Sequence, residues 1–210
     1  MKEPNSERWS RLWLTATNAA PPPDAFSQLV AMYSEPHRHY HNLRHIAECL
    51  NQFDSAKQLA SNPAAVELAI WFHDAIYDTR AGDNEERSAK FAVEWLRKAN
   101  ASVKLVTAVE QLVLATKTHD ASLHVDAPLL VDVDLSILAQ SFDRFWEYER
   151  AIREEYDWVE TSMFNAKRTE ILDRFLKRER IYVTDFFFDR MEAQARANLR
   201  ASVQHMSNGR

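Results

Sequence analysis

Two glycines in 210 residues, Gly82 and Gly209, narrow what this chain can fold into more than any other feature. Tight hairpins and phosphate-cradling loops are commonly built on glycine, and here there is almost none to build with. Apolar residues recur instead at helical spacing. Ser6 to Thr17 carries Trp9, Leu12 and Trp13, and Pro21-Pro22-Pro23 stops that helix. Asp24 then stands where an N-cap belongs, ahead of Phe26, Leu29, Val30 and Tyr33. After Ser34-Glu35-Pro36, a histidine-rich stretch runs into a helix through Ile46, Leu50 and Phe53. Ser61-Asn62-Pro63 is a further start signal, followed by Val66, Ala69, Ile70 and His73 at i, i+3, i+4 and i+7.

A polar turn over 79–84 precedes a helix from Glu85 to Lys98, and another spans Val103 to Thr116. Lys117 to Asp126 is the most polar loop. Pro128 opens a helix in which Leu130, Asp134, Ile137 and Leu138 share a face. Ser141 to Val159, Ser162 to Lys177 and a last helix capped by Thr184 complete the pattern. The expectation is an all-α fold: one domain over 1–210, a bundle of about eight helices, with helices of 141–200 packed on the same core. An apolar content of 46% excludes disorder.

Charge and targeting signals bound the partners. A net charge of −5 argues against a general nucleic-acid binder. The single cysteine, Cys49, rules out an intramolecular disulfide and suits a reducing compartment. Met1 to Arg11 is too polar to begin a signal peptide, and no apolar run approaches the roughly 18 residues of a membrane span. A cytoplasmic protein with no membrane partner is expected, its oligomeric state left open with a homodimer among the options.

Against this background two stretches stand out. Tyr40-His41-Asn42-Leu43-Arg44-His45 places two histidines four residues apart, on one face of a helix. His73-Asp74 lies in the apolar segment Trp71 to Asp78. A buried polar pair is costly unless something satisfies it. In Val131-Asp132-Val133-Asp134, a turn of about 100° per residue puts Asp134 in the middle of the apolar arc and Asp132 away from it. His45, His73, Asp74 and Asp134 are nitrogen and oxygen donors suited to a divalent transition metal. His45 lies off its helix's apolar stripe, so it either lines a cleft with His41 or is solvated.

Histidine, then His-Asp, then a distal Asp, all on helices, resembles the HD superfamily of metal-dependent phosphohydrolases. The stretch from Tyr40 to His45 is similar to the Tyr-His-Asn-x-x-His motif of the cyclic-nucleotide phosphodiesterases, distant members of that superfamily. The resemblance implies His41 as general acid and His45 as metal ligand. Asp134-Leu135-Ser136 resembles their distal Asp-Leu-Ser, and Leu114-Ala115-Thr116 with His119 their central segment. From about Trp9 to Leu199 the chain is more similar to bacterial proteins described as predicted HD-type phosphohydrolases. Phe72 to Asp78, Asn84 to Ala89 and Asp132 to Leu135 carry that likeness. The segment between Asp74 and Asp134 is much shorter than in the phosphodiesterases, which argues against cyclic-nucleotide hydrolysis.

The implied function is hydrolysis of a phosphate ester, a nucleotide or another small phosphorylated metabolite. One divalent ion (Mn, Ni, Co, Fe, Zn or Mg) is expected on His45, His73, Asp74 and Asp134, with His41 and Asp74 the catalytic groups. Arg44, Lys117, His119, Arg153 and Arg168 are candidates to meet phosphate. Asp78, Glu85 and Glu86 are candidates to orient water, although negative charge at a helix start explains the glutamates equally well. His37 and His39 read as bystanders. The alternatives are other metal chemistry on the same scaffold, a hydratase or di-iron oxygenase with His119 and His124 as extra ligands, and a module that binds a nucleotide or metal without turnover.

Overall fold

A computed structural model describes residues 5–208, and among them every regular element is helical. The chain divides into two compact units, 1–134 and 135–210. The first unit holds α1 (Ser6–Thr17), α2 (Ala25–Tyr33), α3 (Leu43–Ala56), α4 (Pro63–Phe72), α5 (Asn84–Lys98), α6 (Val103–Thr116) and α7 (Ala127–Asp134). The second begins with a 3₁₀ turn, Leu135–Ala139, and continues as α8 (Phe142–Glu155), α9 (Thr161–Lys177) and α10 (Asp185–Asn208). Ten α-helices among the described residues exceed the expected eight or so. Each of the ten, α2 and α7 included, matches a helical segment read separately along the sequence, so only the total differs.

In the first unit α4 is central, with α1, α3, α5, α6 and α7 packed around it. Its periodicity predicted a single apolar stripe, yet every residue from Ala65 to Phe72 is buried. A helix surrounded on all sides needs no polar face. The one charge it carries, Glu67, accepts from Arg8 Nε at 2.7 Å and lies 3.3 Å from Lys57 Nζ. Asn62 caps the start of α4 by accepting from the Ala65 amide, and Pro63 occupies the first turn. Trp9 of α1 packs edge-on against Trp71 and Phe72, with ring centroids 5.2 and 5.8 Å apart.

Two local expectations change. Asp24 precedes α2 with a left-handed backbone (φ 65°), and its carboxylate makes no capping bond. In that conformation the side chain is not presented to the first-turn amides as an extended N-cap presents it. The helix that Pro128 was to open ends at Asp134 and tightens into the 3₁₀ turn, so Ile137 and Leu138 leave the α-helical face on which Asp134 was placed.

In the second unit a buried ion pair ties α8 to α9: Arg168 is salt-bridged to Glu149 and donates to the Tyr148 hydroxyl at 2.7 Å. Ser202 of α10 donates to the same Glu149 at 3.0 Å. Asn198 donates to the carbonyls of Leu138 and Gln140, which fastens the 3₁₀ segment to α10. No helix among the described residues is long and apolar enough to cross a membrane. Removing the largest contact between α1 and α4, by Trp9→Ala, is expected to lower stability by about 3–5 kcal/mol, read as a shift of the denaturant midpoint.

Candidate metal centre

The centre is assembled where two helices start or stop. Asn42 caps α3, accepting from the Arg44 amide at 2.9 Å, and His45 follows in the first turn. His41 therefore lies in the turn before the helix rather than on it. Its ring centroid is still 6.0 Å from that of His45, and it stacks on Tyr77 at 4.1 Å. At the other helix, α4 ends at Phe72, so His73 and Asp74 sit on its C-terminal turn. His73 keeps a right-handed helical backbone and donates its amide to the Ala69 carbonyl at 2.9 Å, so helical geometry runs up to the ligand pair.

Four donor atoms converge. His45 Nε2 is 3.1 Å from His73 Nε2, 3.5 Å from Asp74 Oδ2 and 3.3 Å from Asp134 Oδ1. His73 Nε2 is 3.0 Å from Asp74 Oδ2 and 3.5 Å from Asp134 Oδ1. Ligand bonds of about 2.0–2.1 Å at tetrahedral angles would set donor-to-donor edges of roughly 3.3 Å, and these five separations lie close to that value. His73 Nδ1 lies 2.9 Å from the Ile70 carbonyl oxygen, which can only accept. The proton therefore resides on Nδ1, and Nε2 is left for the cluster. The histidine side chains are 2% exposed and the carboxylates 17–18%, so solvent reaches the centre from the carboxylate side.

The electrostatics follow from this packing. Burial disfavours charge on either imidazole; Cys49 and Tyr40, ahead of Asp134 and Asp74, outweigh it at His45, and Asp74 and Asp134 outweigh it at His73, so both are held well above the ordinary histidine value. Burial likewise opposes ionised carboxylates, and the neighbouring histidines overcome it, keeping Asp74 and Asp134 well below their usual range. With the two Nε2 atoms 3.1 Å apart, only one proton fits between them.

Other residues are placed as follows. His119, left-handed at φ 53°, brings Nε2 to 3.4 Å from Asp134 Oδ2. His124 is spent on its own loop, where Nδ1 accepts from the Asp126 amide. Lys117 is paired with Glu86 and also donates to the Gly82 carbonyl. Arg44 pairs with Glu48 along α3 at 3.2 Å. In the second unit, Arg153 donates to the Tyr156 and Val159 carbonyls past the end of α8, and Arg168 is held by Glu149. Exposed Asp78 accepts from the Arg80 amide, and Glu85 stands in the first turn of α5. His37 Nε2 lies 3.1 Å from the Tyr77 carbonyl. Asp132, angled away from the apolar arc, is nonetheless fully buried.

Sequence reasoning missed Arg38, Tyr77 and Cys49. Nothing periodic marks Arg38 or Tyr77. Cys49 could have been found, since it follows His45 by four residues on α3. Its Sγ is 3.7 Å from both Nδ1 and Nε2 of His45. Cys49, His45 and Asp134 also bring donor atoms within 4.8 Å of one another, so the thiol borders the same centre.

Because the shared proton occupies the position a cation would take, metal uptake must displace it. Affinity for Co²⁺ or Zn²⁺ is expected to weaken about tenfold per pH unit as pH falls below the pair's raised pKa, with about one proton released per ion. Calorimetric titration in buffers of different ionisation enthalpy measures both. In comparisons with known proteins, no family model, no curated protein and no solved structure matches the chain.

Proposed function

We propose that this chain is an HD-type metal-dependent phosphohydrolase acting on a small phosphate ester, a nucleotide or another phosphorylated metabolite. The supporting observation is the convergence of His45, His73, Asp74 and Asp134 from three separated parts of the sequence into one buried donor set whose separations lie close to tetrahedral donor-to-donor edges. Those four residues would hold the ion. When bound, a divalent cation supplies Lewis acidity, polarising a phosphoryl oxygen and acidifying water near neutral pH.

The chain's own residues do the rest. The Ile70 carbonyl keeps the His73 proton on Nδ1 and so keeps Nε2 available. The partly exposed carboxylates of Asp74 and Asp134 mark the side from which substrate and water arrive. His41, steadied against Tyr77, would give its proton to the leaving alkoxide. His119, beside Asp134 on that accessible side, would contact the phosphoryl group. The arginines and Lys117 have other partners and contribute less to this reading than their charge suggests.

His119 also favours a second reading, in which it joins Asp134 in holding a second ion and the chemistry is oxidative. Metal analysis separates the two. Purified protein is expected to carry about one divalent ion per chain, lost in His73→Ala and in Asp134→Ala, and to release phosphate from a member of a nucleotide and sugar-phosphate panel. His41→Ala should retain the ion and lose about 10²–10⁴-fold in turnover. A folded wild type that takes up no manganese, nickel or zinc would overturn the mechanism. Two ions per chain without phosphate release would favour the oxidative reading.

A further inference from the structure

Arg38 is the most deeply buried cation of the first unit, its side chain 1% exposed, and the chemistry above gives it no task. Its guanidinium reaches two segments at once. Nη1 donates to the Asp74 carbonyl at 2.6 Å and the His41 carbonyl at 3.2 Å, and Nη2 to the Ala75 carbonyl at 2.8 Å. Nε donates to Glu35 at 2.9 Å. The rings of Tyr33 and Tyr77 lie 5.2 and 5.6 Å from the guanidinium carbon. Tyr77 therefore has His41 stacked on it and Arg38 near it.

A cation beyond the C-terminus of α4 is favoured by that helix's exposed carbonyls, which alone would make Arg38 a helix cap. Capping does not explain the bond to His41. That carbonyl belongs to the turn before α3, on a different part of the chain. The forked guanidinium joins the peptide units that bear the Asp74 carboxylate and the His41 imidazole.

We propose that Arg38 is a positioning residue, which holds the His73-Asp74 turn and the His41 turn in one geometry so that ligand and acid face the same ion. This rests on the metal-centre reading. Lysine cannot substitute fully, because a point ammonium lacks the planar fork that meets three carbonyls at once.

The test uses the full chain, stripped of metal and titrated with Co²⁺, whose visible absorption reports both occupancy and coordination geometry. Arg38→Met and Arg38→Lys are compared with wild type and with Arg168→Met, which removes a buried guanidinium from the second unit. Both Arg38 variants are expected to bind Co²⁺ about 10- to 100-fold more weakly with altered absorption, the lysine variant less severely. Arg168→Met should lose thermal stability while keeping wild-type affinity and spectrum. If Arg38→Met melts at lower temperature yet binds Co²⁺ with wild-type affinity and spectrum, Arg38 is only a structural cap and the proposal fails. Should Arg38→Met not fold, Arg38→Lys decides by the same readings. A folded wild type without Co²⁺ absorption would instead remove the metal-centre reading, and the Arg38 proposal with it.

Discussion

A helix buried on every side still has to end, and the way α4 ends governs the first unit. From Ala65 to Phe72 no face of α4 is left to solvent, so its last carbonyls find partners within the protein. Arg38 meets the carbonyls that follow the helix, and His73 Nδ1 takes the Ile70 carbonyl within it. Both bonds satisfy backbone groups, and both orient donors. The end of α4 is thus where backbone satisfaction and side-chain convergence are solved together.

Charge balance gives that convergence its chemical direction. Two ionised carboxylates around an imidazole pair that shares one proton leave the centre with a net charge of about −1. Exchanging the proton for a divalent cation brings the sum to about zero while keeping every donor within its present spacing. The protonated cluster is therefore a self-consistent arrangement in which a cation in the proton's place would balance the charge. The aromatic packing behind it, Trp9 on Trp71 and Phe72, leaves little room for the turn to shift.

Much of this was legible in the residues. Asn62 and Pro63 announced α4, and Thr184 accepts from the Phe187 amide at the head of α10. Asp134, which the angular argument preferred, stands in the cluster, although Asp132 is the more deeply buried of the two. His45 was ambiguous because its burial comes from His73, Asp74 and Asp134, none of them near it in sequence. Lys117 and Arg153 already have partners within the protein, which charge alone does not reveal in a sequence.

What the sequence determined by itself was the helical class and most helix starts. These depend on apolar period, capping chemistry and residue type, all of which act within a few positions. Only the tertiary structure decided that the donors meet and that Arg38 bridges His41 to Asp74. Each of those is set by a contact between distant segments, where sub-ångström placement and exclusion of water determine which hydrogen bond forms.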